Sequence, residues 1–446
     1  MRICERRQGS WRAVGVALLA LTLSEGVRAA PGEPLGPPFT VASSTDDTYY
    51  QSAVARSGSG DLVVVWRSHG GVRGRLLSAG GTPKGPDFLV ANGDVGLPDV
   101  AIDGVGRFVV AWSDLGAAAR GIYLRRYAAD ATPLGDAEPV SEPFDARVGE
   151  TAIESPAIAM NAAGAFVVAW AQGRYVERGN WYGCGYGIGL CARIGGYSVR
   201  LRRYPGGDSG AAPAPALQTV DATGSAEISL LVLPLAAGSG EDRVAASMAP
   251  DGRFVVAWNR IGESLAVLSG VYARRYDAAG RPEGKRLVSL QRDQATPAVA
   301  MDAAGAYVVA YRRSARGWGD YDVGLYTRRY PADLGLGSFE ARVDADDGGY
   351  PRWPAVASDA VGNYVVAWED GAAIRARRYA TGGAALDGGF TVAARDPLGL
   401  IEYPDVATDA GGGIAFVWDA SDSDESGGGA AGVTTSRIAL RLYEGP

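Results

Sequence analysis

The chain has 446 residues, of which 47% are hydrophobic and 64 are glycine, and its formal net charge at pH 7 is −7. This acidic balance argues against a nucleic-acid partner, which would require a basic surface. The chain has one histidine, His69. A single histidine argues against a Ser-His-Asp triad and against zinc or iron sites built from several histidines.

The first thirty residues have the pattern of a secretory signal peptide. Four arginines are followed by the short apolar run 13–23 and by small residues that predict cleavage after Ala29 or Ala30. The segment carries five Arg and two Glu, a charge of +3, so the mature chain has a net charge of about −10. No other segment is long and apolar enough for membrane insertion. We therefore expect a secreted or periplasmic protein with one domain over residues 31–446.

A repeat of the form V-A-x-D-x-x-G-x-F-V-V-A-W dominates the mature chain. The seven copies end at Trp66, Trp112, Trp170, Trp258, Tyr311, Trp368 and Trp418. A second motif, close to I-Y-x-R-R-Y, follows each copy and precedes a turn and a short apolar segment. Each repeat thus predicts four short strands, a to d, without helical periodicity. Repeats of about this length predict an all-β, seven-bladed β-propeller of four-stranded antiparallel blades.

The chain ends indicate how the ring closes. Residues 34–43 resemble an isolated strand d, whereas the last repeat stops at strand c, near Tyr443. We therefore expect the N-terminal strand to complete the last blade, which removes an exposed sheet edge. The long interval between Trp170 and Trp258 has room for an eighth blade, but residues 221–243 lack both motifs.

One copy of the repeat carries a resemblance to known proteins. It reads Gln294-x-x-Pro297-x-Val299-Ala300-x-Asp302-x-x-Gly305-x-Tyr307-Val308-Val309, with R-R-Y after it. This string is similar to the repeats of secreted bacterial β-propeller and adhesin-like proteins. The resemblance implies a propeller fold over nearly the whole mature chain, and it implies no catalytic residue.

The repeated polar and aromatic residues are expected to be structural. The a–b turns begin at Asp103, Asn161, Asp302, Asp359 and Asp409. Such side chains accept backbone N–H groups of their own turn. We expect the repeated tryptophans to pack between blades and the R-R-Y arginines to form salt bridges or to cover blade edges.

Antiparallel alternation places the b–c and d–a connections on one face of the ring, here called the variable face because these connections differ widely in length. Variable loops on a rigid scaffold are the usual place for binding. Aromatic residues near carboxylates are common at carbohydrate sites and give these ligand-binding candidates: Trp181, Tyr182, Tyr186, Trp318, Asp320, Tyr321, Asp347 and Trp353. As an alternative, Trp181, Tyr182 and Tyr186 belong to a loop that only caps the central channel.

Two further features belong to connections of the variable face. Cys184 and Cys191 are expected to form a disulfide that closes the blade-three loop over 171–197. In blade seven, Asp422, Asp424 and Ser426 match the start of a calcium-binding loop. The twelfth position is Val433 instead of glutamate, which argues against an EF-hand, and a flexible acidic loop is the alternative. Ca²⁺ is therefore the only cofactor that the sequence suggests.

The sequence favours a monomeric, non-enzymatic binding module whose partner is an extracellular glycan or protein. One alternative is a structural component of an envelope or matrix assembly. The other is a carboxylate-dependent polysaccharide hydrolase or lyase, because two carboxylates suffice for that chemistry. The loops that contain Asp320 and Asp347 are the candidates for supplying those carboxylates.

Overall fold

The protein is described by a computed structural model, which covers residues 32–116, 120–143, 150–152, 156–180, 190–206, 215–230, 244–260, 270–290, 296–313, 323–344, 351–395, 399–422 and 435–445. These residues form seven antiparallel sheets, so the predicted seven-bladed β-propeller is confirmed. A membrane-crossing helix is absent from this part of the chain.

The first four blades follow the chain in the order a, b, c, d. Blade one contains Tyr50–Arg56, Leu62–Ser68, Gly71–Leu77 and Phe88–Asn92. Blade two contains Asp99–Ile102, Phe108–Asp114, Gly121–Tyr127 and Glu138–Pro139. Blade three contains Glu150–Ala152, Ala157–Met160, Phe166–Asn180, Leu190–Tyr204 and Gln218–Leu230, the first two of which both pair with strand b. Blade four contains Val244–Met248, Phe254–Arg260, Gly270–Tyr276 and Pro282–Leu290.

The last three blades complete the ring. Blade five contains Pro297–Met301, Tyr307–Arg313, Gly324–Tyr330 and Ala341–Arg342. Blade six contains Arg352–Ser358, Tyr364–Glu369, Ala373–Tyr379 and Phe390–Ala394. Blade seven contains Gly399–Thr408, Ile414–Asp422, Thr435–Tyr443 and the N-terminal strand Phe39–Ser44, which pairs with strand c. The predicted closure of the ring by the N-terminal strand is therefore confirmed.

Blade three departs from the predicted loop over 171–197. Its strands b and c continue along the ladder from the Phe166–Tyr204 pair to the Asn180–Leu190 pair, so most of that segment is a long β-hairpin. Irregularities near Gly173 and Tyr175 bend the ladder without ending it. The prediction was wrong because the many glycines of the segment indicated a loop, whereas an antiparallel partner of equal length lets both strands continue.

Seven apolar clusters hold the ring together, and each one lies between two neighbouring blades. The repeated aromatic at the end of strand b is buried in every blade. Trp258 of blade four, for example, packs with Val167, Val199 and Leu201 of blade three. The predicted packing of these aromatics between blades is confirmed, and it explains why the strand-b run is apolar on both faces.

The arginines of the R-R-Y motif also join blades. The first arginine donates to the carbonyl oxygen of the strand-d valine of the preceding blade, as Arg274 does to Val220 at 2.6 Å and Arg328 does to Val288 at 2.9 Å. The second arginine pairs with a nearby acid, as Arg126 does with Glu138 at 2.9 Å. These contacts confirm the structural role predicted for the motif.

Candidate ligand-binding site at the channel mouth

The first strands of all seven blades surround a central channel of about 350 Å³. Each first strand lies next to the first strand of the following blade, including blade seven next to blade one. Strand a begins, and strand b ends, on the variable face. We call this end of the channel the channel mouth.

The channel mouth is irregular in three consecutive blades. In blades six, seven and one, strand a gains one residue relative to strand b, after Arg352, Glu402 and Tyr50 respectively. The extra residue makes a β-bulge, a feature that redirects side chains at the ends of strands. The described first strands of blades two, four and five pair without such a shift.

A residue with positive φ occupies the same place in each bulge. These residues are Gln51 at 51°, Trp353 at 52° and Tyr403 at 52°. For residues with a Cβ this conformation costs about 1–2 kcal/mol, and glycine would avoid the cost. The chain keeps a large side chain at all three positions, which indicates that the side chains themselves are needed there.

The bulges bring together three acidic residues, Glu369, Glu402 and Asp419, which we call the mouth cluster. Glu369 and Asp419 each directly follow the strand-b tryptophan, in blades six and seven, and Glu402 pairs directly with Asp419 across blade seven. Like charges directly opposite each other across two strands are destabilising. The cluster therefore carries an electrostatic cost that a purely structural position would avoid.

Asp419 connects blade seven to blade one. It is 6% exposed, and it accepts hydrogen bonds from the backbone N–H groups of Gln51 and Ser52 and from the Ser52 hydroxyl at 2.7 Å. Burial raises the pKa of Asp419 to about 7, the hydrogen bonds from Ser52 and Gln51 lower it, and Glu402 raises it. The side chain thus joins two blades across the ring closure.

Glu369 is also buried, but fewer hydrogen bonds compensate for its burial than for that of Asp419. It is 6% exposed, and its Oε2 atom has no hydrogen-bond partner. Burial first and Glu402 second raise the pKa of Glu369 to about 7, while Arg352 and the backbone of Gly371 oppose that shift. A buried acceptor without a donor is costly, so Glu369 is the strongest functional candidate among the described residues.

Two aromatic rings lie beside the mouth cluster. The centroids of Trp353 and Tyr403 are 4.7 Å apart, with the ring planes at 40°. Trp353 is 7% exposed and belongs to strand a of blade six, not to the d–a connection in which the sequence placed it. The bulge turns the ring of Trp353 into contact with Tyr403 of blade seven, and a ligand-binding role of Trp353 stays a prediction.

Most of the other predicted site residues lie outside the described residues. These are Trp181, Tyr182, Tyr186, Trp318, Asp320, Tyr321, Asp347, Asp424, Ser426 and Cys184. The proposed Cys184–Cys191 disulfide therefore stays a prediction.

Asp422, the first residue of the predicted calcium loop, is the last residue of strand b in blade seven. It accepts a hydrogen bond from Arg437 at 2.8 Å. Its carboxylate therefore already has a cationic partner in the neighbouring strand. Within the described ranges, no group of three or more His, Cys, Asp or Glu side chains could hold a metal ion. Calcium binding stays a prediction for this loop.

The repeated turn residues have the predicted structural role. Asp359 accepts the backbone N–H groups of Val361 and Asn363 at 3.0 and 2.9 Å. Asp103 and Asp409 make the same pair of contacts in their own turns. Each of these acids thus accepts two backbone N–H groups of its own turn, whereas Glu369 has the backbone of Gly371 as a donor and its Oε2 atom has no hydrogen-bond partner.

Sequence reasoning missed all three members of the mouth cluster. Glu369 and Asp419 directly follow the repeated Trp368 and Trp418. At this position the other repeats have Arg67, Ser113, Ala171, Asn259 and Arg312. Acidic residues at one repeat position in two consecutive copies are a signal that the sequence contains. Glu402 carries no comparable signal, because only the bulge brings it opposite Asp419.

Comparisons with known proteins show likeness only at the level of the fold. No protein-family model and no curated protein matches the chain. A protein of unknown function from Dyadobacter fermentans is 11% identical, with a TM-score of 0.47 over 92% of this chain and 100% of that one. The polysaccharide lyase Uly1 is 9% identical, with a TM-score of 0.49 over 92% and 100%. An α-L-arabinofuranosidase from Fusarium graminearum is 11% identical, with a TM-score of 0.40 over 78% and 92%. At these values the likeness implies nothing about the function of this chain.

Proposed function

We propose that this protein is an exported, non-enzymatic binding module that holds an extracellular glycan or protein at the channel mouth. The observation that carries the proposal is the buried, unpartnered Oε2 atom of Glu369 at the blade-six bulge, the first of three strained bulges in consecutive blades. Strained backbone and unsatisfied buried polar groups are enriched at functional sites, and blade six has both at the channel mouth. In the four other blades the same end of the ring has no comparable set of described residues.

The variable face supports this location. The a–b turns on the opposite face are short, and their acids are satisfied by local backbone groups. The b–c and d–a connections vary in length and contain the aromatic candidates predicted from the sequence. These connections start and end on the same face of the ring as the channel mouth, and loops on a rigid scaffold are the usual place for binding.

A glycan array and a pull-down from extracellular proteins, both with the mature chain of residues 31–446, test the proposal. We expect a ligand that binds the wild-type chain and that binds Glu369→Gln at least tenfold more weakly. Glu138→Gln is the matched control, because Glu138 pairs with Arg126 in blade two, away from the mouth cluster. Equal binding by Glu369→Gln would reject this site, and the absence of any ligand in both assays would reject the binding function.

The same assays, repeated with calcium and with a chelator, test the predicted calcium loop. Binding that needs calcium and that is lost in Asp422→Asn would support a metal-dependent ligand site on the variable face. Binding that is unchanged by the chelator would reject a role for calcium in recognition, and it would agree with the pairing of Asp422 with Arg437.

One observation favours a second candidate, a carboxylate-dependent polysaccharide hydrolase or lyase. The pKa of Glu369 is raised to about 7, and Glu402 is a neighbouring carboxyl group. A proton donor near neutral pH with a second carboxylate is the minimal apparatus for cleaving a glycosidic bond. Release of reducing ends or unsaturated products by the wild-type chain, and its loss in Glu369→Gln, would establish this function. Binding without product would reject it.

A further inference from the structure

The channel mouth has acceptors for positive charge that the described chain does not satisfy. The negative charge of Glu402 acts on Glu369, and Glu402 also faces Asp419 across the ladder. The neighbouring Asp370 is already paired with Arg375 at 2.6 Å. Arg352, on the strand opposite Glu369, is the cation that acts on this carboxyl group, and its side chain is exposed. Where the structure describes the channel mouth, three carboxyl groups therefore lie near one exposed cation, Arg352.

The unpartnered atom of Glu369 indicates the missing group. One carboxylate oxygen has a donor available from the backbone of Gly371, whereas Oε2 has none. A guanidinium group prefers a carboxylate with both oxygens free for a bidentate contact. A single free oxygen instead suits an ammonium group, a compact cation whose three N–H donors can serve several acceptors.

The aromatic neighbours favour the same kind of cation. Trp353 and Tyr403 lie in the bulges on either side of the boundary between blades six and seven, with their rings in contact. Aromatic rings attract an organic ammonium group through their π-electrons. A divalent metal ion would instead require more oxygen ligands. Among the described residues, no set of three or more His, Cys, Asp or Glu side chains could hold such an ion.

We infer that the ligand of this site presents a primary ammonium group, which binds at the boundary of blades six and seven between Glu369 and Glu402, beside Tyr403. This inference rests on the proposed function, because it names the chemistry that the channel mouth recognises. The net charge of about −10 on the mature chain would assist the approach of such a ligand. Two sources carry this group outside the cell: an amino sugar with a free amine, and a lysine side chain of a protein.

Calorimetric titration of the mature chain with matched ligands tests the inference. One pair is an oligomer of glucosamine and the N-acetylated oligomer of the same length, which lacks the positive charge. The other pair is a lysine hexapeptide and its fully acetylated form. We expect the charged member of at least one pair to bind at least tenfold more tightly than its acetylated partner. Tight binding in the first pair identifies an amino sugar, and tight binding in the second identifies a lysine side chain.

Substitutions separate a specific site from general attraction to an acidic protein. At pH 8, above the raised pKa of Glu369, Glu369→Gln and Glu138→Gln each remove one negative charge, so unspecific attraction would weaken equally in both. We expect Glu369→Gln to weaken binding at least tenfold and Glu138→Gln to leave it unchanged. Glu402→Gln, at a half-buried position, provides a second test that does not depend on how the chain folds after the Glu369→Gln substitution. Thermal unfolding of each variant verifies that it is folded.

The outcomes distinguish this inference from the proposed function. Equal binding of charged and acetylated ligands, with loss in Glu369→Gln, would overturn the ammonium inference and leave the binding site in place. If none of the four ligands binds but the glycan array identifies another ligand, the ammonium inference is likewise overturned and the binding function stays in place. Equal weakening in Glu369→Gln and Glu138→Gln would show unspecific attraction and would also overturn the inference.

Discussion

Acidic residues have their hydrogen bonds satisfied in the repeated turns of the scaffold, but not fully at the channel mouth. In the a–b turns, Asp103, Asp359 and Asp409 each accept two backbone N–H groups from their own turn. At the channel mouth, Glu369 is equally buried but has an oxygen without a donor, and Glu402 lies opposite another acid. The same residue types therefore stabilise one end of a blade and destabilise the other.

This difference shows where the chain departs from an optimal scaffold. A repeat that served only stability would place small or neutral residues at every position that faces another blade, as Ser113 and Ala171 do after their tryptophans. At this repeat position the acidic residues are Glu369 and Asp419, in the consecutive blades six and seven, and ring closure places blade one beside blade seven. We therefore expect substitutions in the scaffold to change stability alone, and substitutions at the channel mouth to change ligand binding.

The largest expected effect is in the scaffold. Trp258→Ala removes a fully buried ring from the interface of blades three and four, together with its hydrogen bond to Asp221. We expect the free energy of unfolding to fall by about 4 kcal/mol because of the cavity and the lost apolar contact. Urea unfolding measures this change. A loss below about 1 kcal/mol would contradict the role assigned to the aromatic clusters.

The second effect is the pH dependence of stability caused by Glu369. Its pKa is about 7 in the fold and has an ordinary value of 4.5, so between these values the folded state holds a proton that the unfolded chain has lost. Stability from this group is therefore complete below pH 4.5 and is lost as the pH rises through 7. The total loss is about 3 kcal/mol, at about 1.4 kcal/mol for each unit of pKa.

Urea unfolding of the wild type and of Glu369→Gln between pH 4.5 and 8 measures this contribution. We expect the variant to match the wild type at the acidic end and to be about 3 kcal/mol more stable at pH 8. Part of the slope should remain in the variant, because burial also raises the pKa of Asp419. Parallel curves for the two proteins would show that Glu369 is not buried as described.

A third, smaller effect concerns a turn acid. Asp359→Ala removes the acceptor for Val361 and Asn363 and leaves their backbone N–H groups without it. We expect a loss of about 2 kcal/mol in the free energy of unfolding, with no change in ligand affinity for the folded protein. Weaker ligand binding by this variant would contradict the expectation that scaffold substitutions change stability alone.

The smallest effect concerns strain that has no connection with a ligand. Ala131 has a φ of 66° in the c–d turn of blade two, where blade one has Gly81 and blade four has Gly280. We expect Ala131→Gly to raise the free energy of unfolding by roughly 0.5–1 kcal/mol, because glycine adopts this conformation without steric cost. Thermal unfolding detects the change, and a lower melting temperature would contradict the assignment of strain to this turn.

Local patterns determined the regular part of this protein. The repeated aromatics, the turn acids and the R-R-Y motif predicted seven blades, their packing and the closure by the N-terminal strand. These predictions succeeded because each depends on contacts within one repeat or between adjacent repeats, which recur in sequence. The long hairpin of blade three was missed because a ladder continues for as long as two strands match, and glycine content does not reveal where that match ends.

Only the tertiary structure decided the composition of the candidate site. Gln51 and Asp419 are 368 positions apart and meet because ring closure places blade seven beside blade one. Glu402 pairs with Asp419 inside blade seven, and Glu369 comes from the adjacent blade six. The sequence contains the acids that follow Trp368 and Trp418, but it does not reveal that a bulge turns Glu402 toward them. Burial and missing hydrogen-bond donors are properties of packed neighbours, and these properties distinguish a ligand-binding acid from a turn acid of the same type.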